Sequence, residues 1–231
     1  MSSTNDNNLA LFCDFENIAL GVRDEKQAKF DINLVLERLL VKGSIVVKKA
    51  YCDWGRYKEF KATMHEAAFE LIDIPHVRMS GKNSADIRMV VDALDLCYTK
   101  SHVNTFVVIS GDSDFSPLVS KLRENAKTVI GVGVKNSTSD LLISNCDEFI
   151  FYDDIVRNQT QKNTKKARPA KGKATKRKTA KAKPKDKKQE GIDLALEIAT
   201  ALDAERGDQE KLWGSMVKQA LKRVKPSFNE G

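Results

Sequence analysis

The apolar residues of this chain fall into short continuous runs, separated by stretches in which apolar residues recur at helical spacing. Six runs are rich in β-branched and aromatic residues and have the length of a buried strand. These runs are Leu9–Cys13, Ser44–Tyr51, Glu70–Ile74, Thr105–Ser110, Thr128–Val132 and Glu148–Phe151. A strand that is covered on both faces lacks polar alternation, and residues 106–109 show this pattern, which predicts a mainly parallel sheet.

Amphipathic stretches lie between these runs and predict helices. They are Ile32–Val41, Tyr57–Phe69, Ala85–Thr99, Phe115–Glu124 and Ser139–Asn145. Strands that alternate with helices form βα units, in which helices cover both faces of the sheet. We therefore expect a three-layer αβα sandwich with a mainly parallel sheet over residues 9–155.

The composition changes sharply after Asp154. Residues 157–190 hold fifteen Lys or Arg against two acidic residues, a net charge of +13, whereas the whole chain carries +7 and the remainder therefore −6. This segment has almost no large apolar side chain and cannot bury enough surface to offset the entropy of ordering. We expect a basic disordered linker over residues 156–190 and a disordered polar N-terminus over residues 1–8.

Apolar periodicity returns after the linker, in Ile192–Leu202 and Leu212–Val224. Two amphipathic helices of this length are marginal as an independent fold, because they offer each other little apolar surface. We expect a small helical segment over residues 191–231.

The cysteines are tens of residues apart and form no CxxC pair, which argues against a zinc site. Each of them, Cys13, Cys52, Cys97 and Cys146, lies in an apolar run, so we expect buried, reduced thiols. The polar N-terminus lacks a signal-peptide core, and no stretch approaches the ~20 apolar residues of a membrane helix. These features favour a soluble, cytoplasmic protein without a membrane partner.

Acidic residues follow two of the predicted strands. The first strand runs into Asp14-Phe15-Glu16-Asn17, and the strand TFVVIS runs into Gly111-Asp112-Ser113-Asp114. Ligands of open parallel sheets bind beyond the carboxyl ends of the strands, so these side chains are expected at one edge of the fold.

A third carboxylate comes from the start of the predicted helix after residue 84. At helical spacing Asp86 shares a face with Ala93 and Cys97 and is expected to point inward, whereas Asp92 is expected to point toward solvent. Converging carboxylates repel each other unless a cation compensates them, and oxygen ligands favour Mg²⁺ or Mn²⁺ over zinc. Alternatively, a single aspartate such as Asp14 or Asp112 only caps a helix or stabilises a turn.

Three segments, LFCDFENIAL, GKNSADIRMVVDAL and VVISGDSDFSPLVSKLRE, resemble the NYN domain family, a branch of the PIN-like nucleases. The resemblance covers about residues 9–155 and implies a metal-dependent ribonuclease with an αβα core. Carried over to this sequence, it implies catalytic, metal-binding aspartates and two polar residues that support the site and contact substrate. The aspartates are Asp14, Asp86, Asp112 and Asp114, and the polar residues are Asn17 and Ser110.

Three further residues are candidate contacts for RNA. Lys82 could neutralise a scissile phosphate or be ordinary solvated surface. Trp54 and Arg56 follow the second strand, where an exposed indole could stack on an unpaired base or, alternatively, the tryptophan covers the sheet edge. The basic linker would attract phosphates without regard to sequence, or serve as a solubilising spacer. A homodimer is compatible with the sequence, which does not fix the oligomeric state.

The segment from Trp213 to Phe228 resembles the opening half of a LOTUS, or OST-HTH, winged-helix module, a family associated with RNA binding. The module would continue through a further helix and a β wing, whereas this sequence stops at Gly231, so either the chain is truncated or the module is incomplete here.

Two other functions compete with a metal-dependent endoribonuclease. The first is a non-catalytic RNA-binding regulator that retains the metal site. The second is a phosphotransferase with an aspartate nucleophile, for which Asp14 would lie in a DxDx-type loop; Glu16 and Asn17 depart from that pattern.

Overall fold

The computed structural model describes residues 7–25, 29–75, 83–166, 187–206 and 212–226. The chain divides into two compact units. The first comprises residues 1–39 and 43–156, and the second comprises residues 40–42 and 157–231.

The first unit contains a six-stranded sheet in which every pair of neighbouring strands is parallel. Its strands are β1 (Asn8–Asp14), β2 (Ser44–Cys52), β3 (Glu70–Asp73), β4 (Thr105–Ile109), β5 (Thr128–Gly133) and β6 (Glu148–Phe151). Their order is β3-β2-β1-β4-β5-β6, so β1 and β4 are neighbours at the centre. All six strands predicted from the apolar runs are confirmed.

Seven α-helices connect or follow these strands in the described residues. They are α1 (Phe15–Asp24), α2 (Ile32–Lys42), α3 (Lys58–Glu66), α4 (Ser84–Thr99), α5 (Ser116–Glu124), α6 (Asp140–Asn145) and α7 (Tyr152–Lys166). Short 3-10 turns cover Ser113–Phe115 and Lys135–Ser137.

The sheet separates two apolar cores. Along β1, Leu9, Leu11 and Cys13 face one core, and Ala10 and Phe12 face the other, as the two-residue period of a strand requires. The first core also contains side chains of α1, α2 and α3, and the second contains side chains of α4, α5 and α6. The predicted three-layer αβα sandwich is therefore confirmed.

The boundaries of the predicted linker were wrong at both ends. Helix α7 continues from Tyr152 to Lys166, and the next helix, α8, begins at Lys187. Residues 156–166 and 187–190 are therefore helical, and residues 167–186 lie outside the described residues, as do residues 1–6 of the predicted disordered N-terminus. The polar face of a helix tolerates many basic side chains, so high charge alone did not exclude a helix.

The second unit contains the two predicted helices, α8 (Lys187–Arg206) and α9 (Gly214–Val224). Ile198 and Leu202 of α8 belong to one apolar cluster with Ala220 and Leu221 of α9. None of the helices in the described part of the chain is long and apolar enough to cross a membrane.

Candidate metal centre

The acidic segments after β1 and β4 meet at the centre of the sheet. From this point the chain adds later strands outward in opposite directions, β2 and β3 on one side and β5 and β6 on the other. Strand β1 continues toward β2 on one side, whereas β4, its other neighbour, continues toward β5. In the β1–β4 ladder Cys13 pairs with Ile109, so Asp14 and Ser110 leave the sheet side by side. Connections that diverge at this point leave a crevice at the carboxyl ends of the strands, which is the usual ligand position in open α/β sheets.

Asp14 occupies the floor of this crevice and is only 8% exposed. Its carboxylate accepts a hydrogen bond from the buried Ser110 hydroxyl at 3.0 Å and another from the Asn17 backbone N–H at 3.3 Å. The second bond caps α1, which begins at the next residue. Asp14 is therefore held in one orientation by groups that favour its charged form.

Asn17 and Ser110 join the segments that follow β1 and β4. The Asn17 side-chain oxygen accepts from the Gly111 N–H at 2.8 Å, and the Ser110 hydroxyl oxygen accepts from the Asp112 N–H at 3.2 Å. Asp112 in turn accepts from the Asp114 N–H at 3.0 Å. Asn17 and Ser110 therefore connect the segments that carry Asp14, Asp112 and Asp114.

Gly111 allows a third segment to approach the crevice. A Cβ atom at this position would lie 2.5 Å from the Ser137 carbonyl oxygen and 3.0 Å from the Thr138 Cα. The Gly111 carbonyl oxygen accepts from the Ser139 N–H at 2.9 Å, immediately before α6. The loop before α6 therefore packs on the loop after β4, backbone against backbone.

Helix α4 brings Asp86 to the same crevice, in its first turn. Burial and repulsion by Asp112, Asp114 and Glu16 raise the pKa of Asp86. Burial, followed by repulsion from Asp86 and then from Asp112, raises the pKa of Asp14 to about 7, against the lowering effect of its hydrogen bonds. These mutual effects on pKa place the predicted aspartates in one acidic site.

Asp92 does not point to solvent as predicted. Its carboxylate accepts from the Tyr51 hydroxyl at 2.9 Å and from Arg88 Nε at 3.0 Å, and it lies 3.5 Å from Lys49 Nζ. Lys49 also pairs with Glu70 at 3.2 Å. The helical wheel placed Asp92 on the solvent side of α4 and could not show that polar groups of β2 reach it there. Asp92 therefore anchors α4 to the sheet.

We call Asp14, Asp86, Asp112 and Asp114 the carboxylate cluster. Carboxylate oxygens are the ligands that hard divalent cations prefer, and such a cation would offset the repulsion among these four side chains. Within the described ranges, however, no three Asp, Glu, His or Cys side chains are arranged closely enough to hold a metal ion. Side chains of the cluster must therefore move toward one another to coordinate one ion.

Glu16 is a further acidic residue at this edge that the sequence did not single out. It raises the pKa of Asp86, and its carboxylate pairs with Arg56 at 3.0 Å. Arg56 follows β2, as predicted, and its side chain is half exposed. The position of Glu16 two residues after Asp14 was the available signal, but the sequence did not show that α1 begins at Phe15 and turns Glu16 toward β2.

Trp54 is a correction, because its indole is buried and cannot stack on a base. It is 1% exposed and its ring packs 5.0 Å from that of Phe15, while its Nε1–H donates to the Ile72 carbonyl oxygen. The alternative interpretation, a tryptophan that covers the sheet near its edge, is supported. Lys82 lies outside the described residues.

A shallow depression of about 610 Å³ borders the carboxylate cluster on the side of α5. It is lined by Ser113, Asp114, Ser116, Pro117, Ser120 and Leu141. Its lining combines hydroxyl groups with two apolar side chains, so the surface beside Asp114 offers both polar and apolar contacts.

The sequence matches the NYN domain family over residues 8–153. It is 26% identical to an uncharacterized protein of the archaeon Methanocaldococcus jannaschii over 142 residues, which cover 61% of this chain and 55% of that protein. The chain therefore spans about half the length of this curated relative. Helices α8 and α9 lie beyond the family match, and the resemblance of this segment to a LOTUS module stays a prediction.

A solved structure shows the same fold. A protein of unknown function from Vibrio parahaemolyticus superposes with a TM-score of 0.59 and 26% sequence identity, covering 67% of this chain and 98% of that one. The family match covers more than half of the present sequence and includes both strands that carry the crevice. The chain belongs to the NYN domain family, whose fold is that of the PIN-like nucleases.

Proposed function

We propose that this protein is a ribonuclease that hydrolyses RNA phosphodiester bonds with Mg²⁺ or Mn²⁺. The observation that carries the proposal is the coupling of Asp86 and Asp112 to the buried Asp14 at the centre of the sheet. A protein that gathers repelling carboxylates around a buried one loses stability unless a cation binds there. Because the family is nuclease-like, we assign to this cation the hydrolysis of phosphodiester bonds.

The carboxylate cluster would hold the ion or ions. When bound, divalent ions supply an activated water and stabilise the leaving oxygen of a phosphodiester. Ser110 and Asn17 keep the Asp14 carboxylate oriented through the hydrogen bonds at 3.0 and 3.3 Å, so this ligand needs no rearrangement. Asp86 and Asp114 stand on separate segments, α4 and the turn after β4, and can approach Asp14 from two sides.

Basic groups would bind the RNA backbone around this centre. Arg56 is half exposed beside Glu16, and the basic segment 157–190 adds attraction that does not depend on sequence. Lys82 remains a candidate for the scissile phosphate. The depression beside Asp114 offers room for a nucleoside of the strand being cut.

The experiment uses the full chain with labelled single-stranded RNA, in Mn²⁺, in Mg²⁺ and in EDTA. We expect cleavage in either metal, none in EDTA, and a loss of at least about a hundredfold for Asp112→Asn, because a ligand of the catalytic ion is removed. Asp24→Asn is the matched control, since Asp24 is 73% exposed near the end of α1. Equal activity of the two variants, or cleavage that persists in EDTA, would refute the proposal.

A non-catalytic RNA-binding regulator is the second candidate. The basic segment 157–190 favours it, because such a segment attracts phosphates whether or not the carboxylate cluster cuts the RNA. Under this alternative the wild-type chain binds the same RNA in Mn²⁺ without cutting it, and Asp112→Asn changes neither result.

A further inference from the structure

Helix α4 presents an apolar seam on its outer face. Ile87, Val91 and Tyr98 are 62%, 55% and 65% exposed, and the half-buried Leu94 lies between them. Their spacing of four, three and four residues places all four side chains along one line of the helix, as in the seam of a coiled coil. Isolated exposed apolar residues are ordinary, but a continuous seam usually marks an interface.

The seam is concentrated on this helix. Among the described residues of the first unit, the large apolar side chains that are exposed are Val46, Ile87, Val91, Tyr98 and Leu141. Three of these five belong to α4. The seam is therefore not the scatter of apolar side chains found on any soluble surface.

The charged residues beside the seam, Arg88 and Asp95, are arranged to pair with a second copy of this chain. Arg88 and Asp95 lie on the same flank, on the helical turns before and after Val91. A two-fold axis that makes two helices antiparallel brings this flank of one helix against the same flank of the other, in reverse order. Arg88 then faces Asp95 of the partner subunit, and Asp95 faces Arg88 of the partner subunit, so the flank is complementary to itself.

The groups on this flank are available for such pairs. Arg88 uses Nε to bond Asp92, and 58% of its side chain is exposed; a guanidinium carries further N–H donors. The Asp95 carboxylate has no partner in the part of the chain that the structure describes. A depression of about 490 Å³ runs along the flank and is open to a partner side chain.

We infer that α4 is a homodimerisation surface, in which two copies of this chain pair their helices antiparallel about Val91. The seam is only about three helical turns long, and permanent dimers usually bury a larger surface. The dimer should therefore exchange with monomer, and its fraction should rise with protein concentration. The inference does not depend on the proposed nuclease activity.

The first experiment measures the self-association of the full chain by sedimentation velocity over a range of concentrations. We expect Val91→Glu to weaken association at least about tenfold, because two carboxylates would be buried face to face at the axis. Ile192→Glu is the matched control: Ile192 is 54% exposed on a helix of the second unit, so association should be unchanged. Circular dichroism confirms that both variants are folded.

The second experiment tests the antiparallel register. Arg88→Asp leaves two acidic residues on each flank and Asp95→Arg leaves two basic ones, so each variant alone should associate less than the wild type. Mixed in equal amounts, the two variants should form a heterodimer, because every facing pair is then attractive. A monomeric wild type would overturn the inference and leave the seam to a different protein partner. A dimer that survives Val91→Glu, or a mixture that fails to associate, would overturn it as well.

Discussion

At the scale of single residues, the central feature is the buried carboxylate of Asp14, whose charged form is stabilised by hydrogen bonds and destabilised by burial and by neighbouring carboxylates. Two hydrogen bonds favour the charged form of Asp14, while burial, Asp86 and Asp112 favour the protonated form, and the second group of effects prevails. A cation bound beside Asp14 would reverse this balance, because it favours the charged form.

This balance predicts how the stability of the metal-free protein depends on pH. The pKa of an aspartate in an unfolded chain is about 3.9, whereas burial and neighbouring carboxylates raise the pKa of folded Asp14 to about 7. Between these pH values, Asp14 is protonated in the folded state and ionised in the unfolded state. Stability is therefore highest at low pH for this group and falls as pH rises toward 7, by at most roughly 4 kcal/mol. Asp14→Asn should lack this decline.

The measurement is urea unfolding in EDTA at several pH values between 4 and 8. Asp24→Asn, an exposed aspartate on α1, should keep the decline seen in the wild type. Parallel curves for the wild type and Asp14→Asn would show that the pKa of Asp14 is not raised. Adding Mn²⁺ above pH 7 should stabilise the wild type more than Asp14→Asn.

Gly111 gives a second prediction at this scale. Gly111→Ala places a methyl group against backbone atoms of Ser137 and Thr138, which cannot turn away as a side chain can. We expect a loss of about 1–3 kcal/mol in the free energy of unfolding. Gly214→Ala is the control, because a Cβ atom there meets nothing within 4 Å, and it should cost nothing measurable.

The sequence predicted the carboxylates but not every neighbour. Asp14 and Asp112 could be placed because Asp14 ends β1 and Asp112 follows β4 closely, and the carboxyl ends of parallel strands share an edge. Trp54 was misplaced because an aromatic residue after a strand fits either a buried or an exposed position. The role of Glu16 depends on Arg56, which is forty residues away, and no local pattern encodes such a pair.

At the scale of elements, α4 carries one wall of the crevice and is fastened to the sheet by a polar anchor. Tyr51 of β2 donates to Asp92 at 2.9 Å, and Lys49 of the same strand lies 3.5 Å from that carboxylate. Asp86 stands six residues earlier on the same helix. The position of Asp86 therefore depends on an anchor that lies outside the carboxylate cluster.

Tyr51→Phe tests this anchor. It removes one part-buried hydrogen bond to a charged group and leaves the ring in the core, so we expect a loss of about 2 kcal/mol in stability. Tyr98→Phe is the control, because that hydroxyl makes only an exposed bond of 3.4 Å to Asn125. Equal unfolding free energies for the two variants would mean that the anchor contributes nothing.

Sequence patterns predicted most elements but missed α1 and α7. The apolar runs showed all six strands, because buried parallel strands need no polar alternation. Helix α1 was missed because it begins at Phe15, directly after the strand, with no loop between the two elements. Its cap is Asp14, for which metal binding and capping were alternative interpretations of the sequence. The same side chain serves both the cap and the cluster.

At the scale of the whole molecule, charge is divided between an acidic part and a basic segment. Residues 157–190 carry a net +13 and the remainder −6. Phosphate binding by such a segment releases counterions and weakens steeply with salt. Affinity for RNA should therefore depend on the segment, whereas cleavage should depend on the carboxylate cluster.

The prediction is tested by replacing every Lys and Arg of residues 168–185 with glutamine. RNA affinity should fall and its dependence on salt should become shallower, by about 0.7 in logarithmic slope for each phosphate that the variant no longer neutralises. The control keeps the composition of residues 168–185 but shuffles their order, and it should bind as the wild type does. A steep slope that survives neutralisation would show that other basic residues bind the phosphates.

The arrangement of the strands was beyond the sequence patterns. Each run indicates a strand, but none indicates that β4 lies beside β1, because that pairing joins residues about a hundred positions apart. The patterns therefore predicted the layers and the acidic residues near the ends of two strands, and the structure showed that these two strands are neighbours.

The pairing of β1 with β4 also determines when the crevice can exist. Asp14 bonds to Ser110 and Asn17 to Gly111, across separations of 96 and 94 residues. A nascent chain on the ribosome carries Asp14 and Asn17 early, but Ser110 and Gly111 cannot bond to them until β4 has been translated and has docked beside β1. Any activity that depends on the carboxylate cluster therefore cannot begin before the ribosome has passed β4.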